Sequence, residues 1–159
     1  MWRFPVSYPG GAAIDSEALV VEPDASAFYL FEKVDASPAR VFGATGPFTG
    51  AAITLAQVGT VTSPGVPVSK GVMITGADLH PSGTRLLLRV YTGVFEYRFT
   101  AGVGPANLDA ATRVTVALGP LSEPQGEAVG YDEAGTGVWT ISEDPNLKAT
   151  QPLHHYACQ

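Results

Sequence analysis

An all-β fold is predicted for this 159-residue chain by three observations: apolar residues alternate at period two, Gly and Pro (18 and 13) punctuate the apolar runs, and one strand, hairpin, strand pattern occurs three times. Such alternation marks half-buried strands, and frequent turn residues leave no room for long helices. The repeated pattern reads EALVVEPDASAFYLFEK from Glu17, TGADLHPSGTRLLLRVY from Thr75 and EAVGYDEAGTGVWTISE from Glu127, aligned without a gap. A recurrence of roughly 50 to 60 residues marks an array of equivalent units, and for all-β units the array that buries their faces is a propeller of four-stranded blades.

The elements follow in order. Residues 2–8 alternate about Pro5, which has no N–H and confines that strand to an edge. Residues 16–21 and 28–31 form the first hairpin, because Pro23, Asp24 and Ser26 favour a turn between them. Residues 39–42 make a short third strand and residues 53–60 a fourth. The order then repeats over 74–79, 85–90, 93–99 and 112–118, turning at His80-Pro81-Ser82-Gly83. The last set, 128–131, 138–142 and 153–157, has no fourth strand behind it. Residues 106–112 (ANLDAAT) are the stretch between Gly and Pro that permits a helical turn.

This predicts a single domain, 1–159, with blades near 14–62, 72–118 and 126–158, and with strand 2–8 as the outer strand of the last blade. Closed propellers contain about four blades or more. Three blades are therefore read as half of a six-bladed ring, completed by a second copy that exchanges residues 2–8 or by further blades of a longer chain. A β-sandwich is the competing arrangement, since short strands with turns are common to both.

Composition narrows the function classes. The chain is 45% apolar and 15% charged, which suits an ordered domain. Its net charge of -6 repels nucleic acid and anionic membranes. No apolar run reaches the ~20 residues of a membrane span, and the N-terminal MWRFPVSYPGG carries no apolar stretch of a signal peptide. One cysteine, Cys158, excludes an intramolecular disulfide. There is no G-x-S-x-G, P-loop or C-x-x-C, and His154 and His155 point to opposite faces of a strand, so they do not chelate one ion together. His80 occupies a turn slot and reads as a surface hydrogen-bonding residue.

The segments DSEALVVEP (15–23), ITGADLHPSGTRLLLRVYT (74–92) and PQGEAVGYDEAGTGVWTISE (124–143) resemble the repeat signatures of bacterial β-propeller proteins of the phytase-like, esterase-like and TolB-like group. There, D-x-E-A/G-L or Q-G-E-A/G-I opens a blade and S-P-D-G turns its first hairpin. This chain departs at Ser82, where Asp is usual, and at Glu133, which stands in the proline slot. The resemblance implies the fold before any activity, and many proteins of the group are exported.

Equivalent repeat positions also gather the residues with chemistry. Glu17, Thr75 and Glu127 head the innermost strand, with Asp15 and Gln125 two residues before the glutamates. Lys33, Tyr91 and Glu143 end the next strand, with Glu32 and Arg89 nearby. Antiparallel neighbours bring head and tail to one rim, and innermost strands line the central channel. Asp15, Glu17, Asp78, Gln125, Glu127 and Glu143 are candidate metal ligands, hard oxygens that suit calcium or magnesium over zinc. In phytase-like propellers acidic residues hold calcium beside a phosphate ester. The resemblance thus implies calcium as candidate cofactor and Lys33, Arg89 and Tyr91 as candidate ligand-binding residues. The plainer reading pairs the carboxylates with Lys33 and Arg89. A third makes Glu17 and Glu127 the acid and base of glycoside cleavage. With no nucleophile and base pair in sight, the function expected is a non-catalytic half-propeller, a binding or scaffold module with an acidic channel mouth; the alternative is a calcium-dependent phosphoester or ester hydrolase.

Overall fold

The structure, a computed structural model, describes residues 3–118, 123, 125–143 and 150–158. Trp2 and Pro124, which enter the sequence reading, lie outside them. The strands are β1 (Val6–Ser7), β2 (Ser16–Val21), β3 (Ala27–Glu32), β4 (Ala39–Thr45), β5 (Ile53–Thr54), β6 (Ala56–Val61), β7 (Ile74–Leu79), β8 (Arg85–Val90), β9 (Gly93–Arg98), β10 (Thr112–Val116), β11 (Gly126–Tyr131), β12 (Gly137–Ser142) and β13 (His154–Ala157). Antiparallel pairing gives sheets in the order β2-β3-β4-β6, β7-β8-β9-β10 and β11-β12-β13. The third sheet holds three strands among the described residues, where a full blade has four.

The three hairpins close identically. The amides of Glu22, His80 and Asp132 donate to the carbonyls of Ala27, Arg85 and Gly137. The amides of Ala25, Gly83 and Gly135 donate back to Glu22, His80 and Asp132. Those three turn residues all have positive φ, of 56°, 69° and 69°, which glycine adopts freely and alanine does not.

The blades stack side by side. Ala18, Val20 and Phe31 of the first pack against Ile74, Leu86 and Leu88 of the second. Leu87 and Val94 on the opposite face of the second pack against Val138 of the third. β8 is therefore buried on both faces, which explains why its RLLLRV run shows no polar alternation.

Three elements differ from expectation. The strand expected over 53–60 is broken at Leu55, which is 2% exposed, and there the chain switches from pairing with β1 to pairing with β4. The helical turn is a 3-10 segment, Pro105–Ala110, anchored by fully buried Leu108. Within one chain, β1 does not join the third blade. It runs parallel to β5, with the Ile53 and Leu55 amides donating to the Pro5 and Ser7 carbonyls at 2.8 Å each. Period-two reading did not show the cause, an aromatic patch: Tyr8 packs edge-on against Phe42 (5.0 Å between centroids), and Phe4 and Phe28 flank Phe48 (6.1 and 5.4 Å).

Candidate functional site at the axial mouth

Each innermost strand carries one β-bulge at the same repeat position. Pairing slips between Ser16 and Ala18, between Ile74 and Gly76, and between Gly126 and Ala128. The extra residues are Glu17, Thr75 and Glu127, and a bulge takes its side chain out of the normal alternation. The repeat-equivalent residues are thus turned toward the mouth by a shared backbone irregularity.

Lys33 is the centre of what they form. Its Nζ lies 2.5 Å from Glu17 Oε2 and 3.9 Å from Glu127 Oε2, and 5.2 Å from the centroid of the Tyr91 ring. One ammonium from the first blade therefore gathers carboxylates from the first and third and an aromatic face from the second. Burial alone would depress the Lys33 pKa, but the hydrogen bond to Glu17 and the Glu127 charge outweigh it and hold the ammonium above the ordinary lysine range. Burial pushes the Glu127 carboxyl above the usual glutamate range; Tyr91 and Lys33 draw it back, and the Glu17 charge adds to the rise. Thr75 does different work: its hydroxyl donates to the Gly126 carbonyl at 2.6 Å and ties the second blade to the third.

The other predicted site residues are dispersed. Asp15 and Gln125 act at the mouth through their backbone carbonyls, which accept the Lys33 and Glu143 amides at 2.8 Å; Asp15 and Glu143 are exposed. Asp78 lies three residues beyond Thr75, about 10 Å along the strand. There it accepts the Tyr131 amide at 2.7 Å, and burial raises its pKa. Arg89 is turned into the interior. It is 1% exposed, ion-paired with Glu123, and packed so tightly on Gly126 that a Cβ there would fall 1.7 Å from its Nη2. The expected metal donors therefore do not fit a calcium shell of about six to eight oxygens. Glu17 and Glu127 are spent on Lys33, Asp78 on a backbone amide, and among the described residues no three His, Cys, Asp or Glu side chains converge as ligands.

Two polar clusters between the second and third blades were not anticipated. Glu123 binds Arg89 and accepts the Thr140 hydroxyl at 2.5 Å. Glu96, 6% exposed, accepts from Arg98 (2.7 Å), Tyr131 (3.1 Å) and Arg85 (3.3 Å). The signal was present in the sequence: Arg85 and Arg89 share the parity of Leu87, and Glu96 and Arg98 that of Val94, so these charges lie on a buried face. His80 also proves buried rather than superficial, hydrogen-bonded to Ser82 at 2.7 Å and edge-on to Tyr131 at 4.9 Å. His154 and His155 do diverge, the first toward Glu123 (4.0 Å) and the second toward Asp132 (3.4 Å).

No protein-family model matches this chain, and no curated protein matches it in sequence. Its fold does match solved structures. A nidogen/laminin complex shares 10% identity over 91% of this chain and 45% of that one, with a TM-score of 0.55. The PQQ-bound aldose sugar dehydrogenase of Streptomyces coelicolor shares 9% over 92% and 46%, at 0.53. Kuenenia stuttgartiensis hydrazine synthase shares 12% over 91% and 45%, at 0.53. Identities this low speak for the fold alone, and the chain spans about half the length of the chains it matches. The bladed sheets and these neighbours together establish a β-propeller architecture of three consecutive blades.

Proposed function

We propose that the chain is a non-catalytic half-propeller, a binding module that associates through its two open blade faces to form a six-bladed ring with a second copy. One observation carries this reading: among the described residues no further blade covers either outer face of the three-blade stack, the first being covered only in part by β1 and β5, and both carry exposed apolar side chains. Strand alternation sends Leu19, Val21, Phe28 and Leu30 to the face of the first blade opposite Phe31, where Leu19 is 53% exposed and Val21 49%. The corresponding face of the third blade carries Trp139, 38% exposed, and Ile141. Exposed apolar side chains on an open sheet face mark interaction surfaces. No helix is long and apolar enough to cross a membrane among the described residues.

In this reading the mouth cluster is structural: Lys33 neutralises the glutamates and joins the innermost strands, while the surrounding loops present the binding surface. The test sets binding against catalysis. Purified protein, with and without calcium, is assayed on p-nitrophenyl phosphate and phytate beside a Glu127→Ala variant, and calcium binding is measured by calorimetry. The proposal expects no turnover above a protein-free control and no calcium isotherm at millimolar ion. Calcium-dependent hydrolysis lost in Glu127→Ala would replace it with the hydrolase reading.

A further inference from the structure

Among the described residues the third blade has no outer strand, and the structure shows where one would lie. In the first two blades the third strand is covered by a fourth, β6 or β10, whereas among the described residues no strand pairs with the outer edge of β13. Beside it, between β13 and β10, runs a cleft of about 250 Å³ lined by Val114, Val116, Val138, Tyr156 and Cys158, with Arg98 at one side. Val114 is 38% exposed there, although it shares a face with the fully buried Leu87. A strand added to β13 would cover it.

β1 supplies the other half of the fit. Phe28 and Phe42 lie on the open face of the first blade, and Phe4, Tyr8 and Phe48 pack onto them. The β1-β5 ribbon thus lies over that face, in the place of the outermost strand of whatever blade stacks there. Among the described residues it is two-stranded, so β1 keeps one edge without a neighbouring strand.

Resting on the dimeric half-propeller reading, we propose that β1 of each copy completes the third blade of the other. A two-fold axis sets the third blade of one chain on the open face of its partner's first blade, and the same contact recurs on the opposite side. The bare edge of β13 then meets the free edge of the partner's β1, each supplying backbone hydrogen bonds that the other lacks. The occupant of the cleft is the N-terminal strand of a second copy.

The chain has one cysteine, Cys158, exposed and directly after β13, which makes the arrangement testable by oxidation. Arg3→Cys, Pro5→Cys and Ser7→Cys are made singly in the full-length chain, with Ala101→Cys on an exposed loop as control. Light scattering gives the mass of each before mild oxidation and a non-reducing gel. A disulfide forms only where Cβ atoms come within about 4.5 Å, so the β1 position opposite Cys158 joins two chains at least about tenfold faster than Ala101→Cys. Dimeric mass with no preference for any β1 variant overturns strand exchange and leaves the dimer standing. Single-chain mass at every concentration overturns both.

Discussion

Replacing Lys33 with Met tests whether the mouth cluster is structural. The substitution keeps the aliphatic stem and removes the ammonium that faces Glu17 at 2.5 Å and Glu127 at 3.9 Å. At an effective dielectric constant of about 20, a unit-charge pair near 4 Å is worth about 4 kcal/mol in gross attraction. Most of that offsets desolvation and side-chain ordering, so exposed pairs retain about 0.2 to 1 kcal/mol and fully buried ones lose about 3 to 5 when one partner is removed. Here the lysine side chain is 10% exposed, Glu127 21% and Glu17 40%, which places the cluster between those limits. Lys33→Met should therefore cost about 1.5 kcal/mol at neutral pH. With a urea m-value of about 2 kcal/mol/M, the unfolding midpoint falls by about 0.7 M, measured at fixed protein concentration. Adding Glu127→Gln should recover about half of the loss, because the two carboxylates no longer face each other without a cation. The Glu127 pKa is raised in the folded protein, so its share of the penalty is complete only above that raised value and is lost as pH falls through it, before the ordinary glutamate pKa is reached. A midpoint that moves by less than about 0.2 M, or a loss unchanged at acidic pH, would refute a structural role for the charge.

Three further outcomes are expected. Ala25, at φ 56°, occupies the turn position that Gly83 and Gly135 fill in the other blades, so Ala25→Gly should be neutral or stabilise by up to about 1 kcal/mol in thermal unfolding. Gly135→Ala should cost about 1 to 3 kcal/mol, because its Cβ would fall 1.9 Å from His80 Nε2. The Arg40 hydrogen bond holds the Glu32 carboxyl below the usual range. Its contribution is present above the unfolded glutamate pKa of about 4.3 and is lost as pH falls through the folded value. Glu32→Gln should therefore flatten the acid limb of the stability profile; an unchanged limb would show that other carboxylates govern it.

Much of the fold was legible because one hairpin is written three times. The turn residues near Asp24, Gly83 and Gly135 align, and equivalent side chains then fall at equivalent heights, which is how Lys33 could be placed beside Glu17 and Glu127. Bulges at those positions were not legible, since all three repeats carry the extra residue, so a gapless alignment hides it and it shows only in the pairing register. Asp78 was misplaced by treating the innermost strand as one rim, when three residues of extended chain carry it toward the hairpin. The burial of Arg89 was harder to see, because an arginine between two apolar neighbours looks superficial until β8 is seen to be covered on both faces; its partner Glu123 lies in the connection between β10 and β11, which no strand pattern links to it. The parallel pairing of β1 depends on aromatic contacts spanning some forty residues of sequence, beyond the reach of any periodicity.

The most direct measurement of the central claim is small-angle X-ray scattering of the purified chain. Two 159-residue copies closed into a ring should give twice the 16.6 kDa chain mass and a radius of gyration of about 20 Å. A well-folded particle of 16.6 kDa with a radius near about 15 Å would contradict the account.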